Sequence, residues 1–238
     1  MREEVIDNAQ EAQRQEEETH GGEPLQEGTK SRRQPVQETM NLIFWGTFFL
    51  LGPGLIGIIA SRLALYFAWP LAGTGLGTLV EMVFRFGGVW LALLLYMRWV
   101  EKRPLASIGL SPIPWRVGQY LYPWLYIGMF VLLVGRFIGL GAVWMLAARF
   151  IQAGAEEAVC RGWILNRVSE RQGVQMGIIA NTMVFVVFHA LNPDFTAWAI
   201  ISLTLFSVLM SLLARRAGHV WWGILIHAGW NWGVSLWR

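Results

Sequence analysis

Residues 41–64 read NLIFWGTFFLLGPGLIGIIASRLA, and Arg62 is the one charged side chain among them. Wound as an α-helix at 1.5 Å per residue, such a run reaches about 36 Å, enough to cross a hydrocarbon core of roughly 30 Å. Lipid cannot hydrogen-bond a backbone, so a spanning segment is a helix or a strand of a closed barrel. The run shows no period-two alternation of apolar and polar residues and therefore reads as a helix. Downstream the pattern repeats. Further spans are predicted at about 73–97, 121–143, 148–168, 175–191, 197–214 and 219–237, making seven, within a range of six to eight. The predicted fold class is all-α, a polytopic membrane helix bundle.

Upstream of Asn41 the composition changes. Ten of the sixteen acidic residues of the chain fall within residues 1–40, leaving a tail of net charge −5 and a body of net charge +8. Residues 1–38 are rich in Glu, Gln, Arg and Gly and hold no apolar run able to bury a core, so a solvated, disordered tail is expected, followed by a membrane domain over 39–238. No short apolar segment with a small-residue cleavage site precedes the first span, which is read as retained. Over the whole chain, 55% of the 238 residues are hydrophobic and 15% are charged, against about 25% charged in ordinary soluble domains. A soluble enzyme, a disulfide-stapled secreted domain (one Cys) and a nucleic-acid binder with a basic reading face are excluded.

The cations cluster at alternate span ends. Lys30, Arg32 and Arg33 precede the first span; Arg98, Lys102, Arg103 and Arg116 follow the second; Arg167 and Arg171 follow the fourth; Arg215 and Arg216 follow the sixth. The positive-inside rule then predicts a cytoplasmic N-terminus and an external C-terminus in the plasma (inner) membrane, with Arg149 and Arg238 against the trend. Trp221, Trp222 and Trp237 are read as interfacial anchors.

Polar side chains at membrane depth are costly, so each one is a site candidate. The densest group is AEEAVCRG at residues 155–162. On a helix Glu157 and Arg161 are i and i+4 and share a face, while Glu156 is turned by about 100°. The paired acid reads as a strut. The unpaired acid, desolvated beside a like charge, suits general-base work. Read blandly, the group is one buried ion pair and one snorkelling Glu. Two further i, i+4 pairs occur downstream: Phe185 with His189, and His227 with Asn231. Each His alone is more often a hydrogen-bonded structural residue. Together, Glu, His, His and Asn are the groups that activate a water and stabilise the resulting oxyanion. Glu81 and Arg85 read as a structural ion pair, Cys160 as a small buried hydrophobe rather than a nucleophile, and Asp194 as part of a turn.

In this order on successive helices, Glu156-Glu157-x-x-x-Arg161, Phe185-x-x-x-His189 and His227-x-x-x-Asn231 resemble the CPBP family of CAAX-protease and bacteriocin-processing membrane proteins, also called Abi. The likeness covers about residues 148–234, and residues 101–110 look like the loop preceding this core. The resemblance implies an intramembrane endopeptidase in which Glu156 activates the attacking water, assisted by His189. His227 and Asn231 would complete the site, either as metal ligand and partner or as the oxyanion hole. Glu157 and Arg161 would brace it, with Phe185 packed beneath. A divalent metal such as zinc on Glu156, His189 and His227 is left open, since the chain lacks His-Glu-x-x-His. The implied partners are a peptide or protein substrate, lipid-modified or membrane-bound, and membrane lipid; no nucleic acid is expected. Two alternatives stand beside this reading: a non-catalytic membrane scaffold or immunity protein, and a proton-coupled transporter.

Overall fold

The computed structural model describes residues 27–67, 69–112, 139–190, 192 and 195–236. The chain divides into two compact units, Met1–Met40 and Asn41–Arg238. The described part of the first unit is helical, the opening of α1 (Glu27–Phe67). Most of the expected tail and residues 121–138 of the expected third span lie outside the described residues, as do Arg116, Asp194 and Trp237.

In the second unit α1 is followed by α2 (Gly75–Leu95), whose last turn widens into a π-helical segment, Tyr96–Glu101. Then come α3 (Leu140–Glu157), a second π-helical segment (Ala158–Ile164) and α4 (Leu165–Gln172) in one continuous rod. Helices α5 (Val174–His189), α6 (Ala197–Ala217) and α7 (Trp221–Leu236) complete it. Among the described residues every regular element is a helix. The boundaries have local causes. Thr74 and Thr196 cap α2 and α6 by accepting from the amides of Gly77 and Ala199. Gly218, at φ 72°, ends α6 in the left-handed conformation.

Among the described residues two helices have both the length and the apolar composition of a membrane span, Gly75–Glu101 and Ala197–Ala217. Fewer stand out than the seven expected: residues 121–138 of the third lie outside the described residues, and other helices are short or carry charge. Helices α5 and α7 have 16 residues each. That is about 24 Å of rise, short of a hydrocarbon core. Helix α3 carries Arg149, Glu156 and Glu157, which lower its mean hydropathy.

The packing is inverted relative to a water-soluble bundle. Helix α6 exposes Leu205, Leu209 and Leu212 while burying Ser207 and Ser211. Those serines meet Asn181 and Thr182 of α5, with Asn181 Nδ2 donating to Ser211 Oγ at 2.6 Å. Polar groups joining helices inside an apolar exterior is the arrangement lipid favours. Where α1 crosses α2, a Cβ added to Gly57 would stand 2.6 Å from the carbonyl oxygens of Phe84 and Arg85, so the approach requires glycine.

The core gathers around Trp163, with Leu93, Met97, Ile108, Ile164 and Phe185. The Trp163 indole meets Tyr96 edge-on at 5.3 Å and donates to Glu101. Glu101 also accepts from Arg167 Nε at 2.7 Å, and Arg167 reaches Glu170 at 2.7 Å and Ser107 at 2.9 Å. Arg103 donates to Glu170 from the loop, a hydrogen bond that raises the guanidinium pKa above its ordinary value. The loop 101–110 is therefore pinned to the α3–α4 rod by charge-assisted bonds.

Candidate active site

The α3–α4 rod presents its functional groups through a change of helical pitch. Gln152, Glu156 and Glu157 lie on regular α-helix, and the π-helical turn starts at Ala158. Such a turn inserts one residue into the ladder and reorients the side chains beyond it, a feature frequent at functional sites. All seven residues from Ala158 to Ile164 are buried. Glu157 and Arg161 nevertheless keep their i, i+4 ion pair at 3.0 Å, with both side chains fully buried.

Glu156 stands where α5 and α7 converge on α3. Its Oε2 is 3.9 Å from His189 Nε2 and 3.6 Å from His227 Nε2, and it has no hydrogen-bond partner among the described residues. The other carboxylate oxygen accepts from Gln152 Nε2 at 3.1 Å. His189 Nδ1 lies 2.8 Å from the Phe185 carbonyl oxygen, which can only accept, so Nδ1 carries the proton. His227 Nδ1 likewise donates to Glu157 Oε1 at 2.9 Å. In its neutral form each ring then turns an Nε2 lone pair toward Glu156. Three acceptors facing one another at these separations form a place for a hydrogen donor such as water.

A rigid platform lies behind them. Glu157 Oε1 accepts from both Arg161 and His227, which ties α3 to α7. The Arg161 guanidinium lies over the Phe185 ring, 4.1 Å from its centroid. Phe185 in turn packs against His189 at 4.4 Å and His227 at 5.9 Å. Phe206 of α6 closes the back, 5.1 Å from His227. Glu157 and Arg161 accordingly face away from the water position, while Glu156 faces it.

Glu156 and His189 open onto a cavity of about 660 Å³ within the second unit, walled by Met82, Phe86, Val89, Phe188 and Leu203. Arg85 and Arg149 line it too. Arg149 donates to Gln152 at 2.8 Å and to Ser235 at 3.1 Å, so a polar chain runs from the cavity wall to Glu156. Sequence reasoning passed over Gln152 as a site residue, although its position four residues before Glu156 on one helix was the available signal.

The residues 137–233 match the family model "Type II CAAX prenyl endopeptidase Rce1-like". This region is similar to the CAAX-protease family. No curated protein and no solved structure shows a significant match to the chain. Type II CAAX endopeptidases are hydrolases of the membrane, in keeping with the apolar exterior of α6. Within the matched region lie all seven residues picked out by motif: Glu156, Glu157, Arg161, Phe185, His189, His227 and Asn231. The structure brings the first six into contact. Asn231 is half-buried one turn beyond His227 on α7, and its carbonyl oxygen accepts from Ser235.

Other expectations fare differently. Glu81 and Arg85 make no ion pair among the described residues; the Arg85 guanidinium lies 5.7 Å from the Phe86 ring centroid. Cys160 is buried. Trp221 is bound to the loop, donating to the Ser111 carbonyl at 2.9 Å. As for a metal, one carboxylate and two imidazoles are suitable donors for zinc. Their separations of 3.6 and 3.9 Å exceed the about 3.3 Å that tetrahedral bonds of about 2.0 Å impose. Among the described residues no group of three or more His, Cys, Asp or Glu is set to hold a metal ion.

Proposed function

We propose that the chain is an intramembrane endopeptidase of CAAX type that hydrolyses a peptide bond of a membrane-associated, lipid-modified protein with a water activated by Glu156. The observation that carries this reading is the convergence of Glu156 Oε2 with two imidazole Nε2 atoms at 3.6 and 3.9 Å, with Glu156 and His189 on the wall of a largely apolar cavity.

In this reading water sits between the three acceptors. It donates one hydrogen to Glu156 and the other to His189, which leaves an oxygen lone pair directed at the substrate carbonyl. Attack transfers a proton to Glu156, and Glu156 passes it to the departing amine. The oxyanion is met by Asn231, whose amide donates without any change of protonation. His227, whose Nδ1 is committed to Glu157, completes the site beside Asn231. No step is assigned to a metal. Glu157, Arg161 and Phe185 hold the two rings in place. We further read the chain as a seven-span membrane protein, on its apolar runs, with a cytoplasmic N-terminus, on the distribution of Lys and Arg.

The test is hydrolysis of a fluorogenic, prenylated peptide by the purified full-length protein in detergent. Glu156→Gln and His189→Gln are expected to lose about 10²–10⁴-fold in kcat while remaining folded. Undiminished activity in both variants refutes the mechanism. Failure of the unaltered protein to cleave any such peptide favours the scaffold reading.

A further inference from the structure

A second cavity, of about 70 Å³, is lined by Arg161, Asn166, Arg215 and His219 and shares no lining residue with the first. Three parts of the second unit meet there: the α3–α4 rod, the loop after α2 and the turn between α6 and α7. The Val220 amide donates to the Gly109 carbonyl at 3.2 Å. A Cβ added to Gly109 would stand 3.1 Å from His219 Cα, so the loop holds the backbone beside His219 in place.

The rod brings Arg161 to this cavity with part of its donor set spent. Nη1 donates to Glu157 at 3.0 Å, and the guanidinium lies over the Phe185 ring. Nε and Nη2 are buried and have no hydrogen-bond partner among the described residues. Buried polar groups are almost always satisfied, and an orphaned charged donor is costly. His219 Nδ1 is buried without a partner as well. Arg215, exposed in the last turn of α6, makes no ion pair among the described residues. Asn166 already gives its Nδ2 to the Gly162 carbonyl. The lining thus holds two guanidiniums and an imidazole, with no Asp or Glu. The carboxylate bound to Arg161, Glu157, is shared with His227 and leaves the cavity a net cationic surface.

The kind of anion follows from the donors. Nε–H and one Nη2–H of a guanidinium run parallel in one plane, which matches two oxygens of an oxyanion better than a single-atom halide. By liquid volume the cavity takes about two waters, which suits a compact tetrahedral group and excludes a peptide. Arg215 and Arg216 end the span Ala197–Ala217, so the mouth lies near the level of lipid headgroups.

We propose that this cavity is a phosphate-binding site, in which the Nε–Nη2 edge of Arg161 holds two oxygens of a phosphate group while Arg215 and His219 bind the rest. Inorganic phosphate and the head of an anionic lipid offer the same chemistry. The ligand would share the Arg161 guanidinium with Glu157 and so join the brace that positions His227. The site does not depend on the peptidase reading, because its signature is ligand-dependent stability.

The test is thermal unfolding of the full-length protein in neutral detergent, followed by tryptophan fluorescence. Sodium phosphate replaces sodium chloride at constant ionic strength, over a low-millimolar range where general salting effects are small. A saturable rise in Tm of about 4 °C or more is expected. Arg215→Gln and His219→Phe should each weaken phosphate binding by about tenfold, whereas Arg216→Gln, outside the lining, should keep it. A parallel arm adds phosphatidic acid to the micelles in place of inorganic phosphate. A shift with inorganic phosphate alone assigns a soluble ligand, and a shift with phosphatidic acid alone assigns a lipid headgroup. Shifts with both that do not add place the two in one site. No saturable shift with either probe overturns the proposal. So does a shift that Arg215→Gln and Arg216→Gln keep or lose to the same extent.

Discussion

His227 Nδ1 donates to Glu157 Oε1 across 2.9 Å, so the last helix and the rod of α3 and α4 are joined by a buried imidazole–carboxylate bond. The same oxygen accepts from Arg161 at 3.0 Å. One carboxylate oxygen therefore fixes the His227 ring and neutralises a buried guanidinium. The adjacent acid, Glu156, is left facing the two Nε2 atoms. Two neighbouring glutamates are thereby separated into a brace and a base by which helix face they occupy.

That division predicts opposite phenotypes. Glu157→Gln strands the Arg161 charge in a fully buried position and should cost about 3–5 kcal/mol of stability. Glu156→Gln keeps the shape and its contact with Gln152 and should change stability by less than about 1 kcal/mol while lowering kcat by about 10²–10⁴-fold. Thermal unfolding in detergent, run beside the peptidase assay, checks the contrast. Equal stability losses would refute the assignment of brace and base.

Gln152 orients the Glu156 carboxylate through a single hydrogen bond of 3.1 Å. Gln152→Leu removes that donor and retains the size of the side chain. The expected result is a kcat lower by about ten- to a hundredfold, with KM within about twofold. Gln152→Glu should be worse, because it places a second carboxylate beside the base. Steady-state kinetics on one peptide series decides it.

Most of the site was legible because i, i+4 spacing on a helix brings side chains together whatever the surrounding fold. Phe185 and His189 demonstrate this, with rings 4.4 Å apart. Spacing permits a contact without enforcing it. Glu81 and Arg85 have the same separation and form no ion pair, because the Arg85 side chain turns into the cavity. The π-helical turn after Glu157 was not legible at all, since a single i→i+5 insertion leaves the apolar pattern almost unchanged. The expected fourth span, 148–168, falls on the second half of α3, the π-helical turn and the start of α4, and the expected break before it lies inside α3; Arg149, Glu156 and Glu157 keep α3 out of the spans defined by hydropathy.

A resident metal would leave a clear signature. With proton transfer carried by side chains, exhaustive dialysis against a chelator should leave kcat within about twofold, and elemental analysis should find less than about one zinc per ten chains. Loss of activity on chelation with recovery on adding zinc would instead make Glu156, His189 and His227 ligands. The three would then have to draw together from their present separations of 3.6 and 3.9 Å.

The last relationship concerns Gly223 on α7, where an added Cβ would stand 2.8 Å from Glu157 Oε2. A side-chain terminus usually swings away from such a contact. Here it cannot do so freely, because Oε1 of the same carboxylate is held by both Arg161 and His227. Gly223→Ala should therefore push the brace and tilt the His227 ring, costing about 1–3 kcal/mol of stability and lowering kcat more than KM. Gly229→Ala is the matched control on the same helix, since nothing lies within 4 Å of a Cβ there. It should stay within about 0.5 kcal/mol of the unaltered protein, apart from the small gain that alanine brings to a helix. Identical kinetics for the two variants would show that α7 can move without disturbing the base, and would refute the coupling of His227 to Glu157.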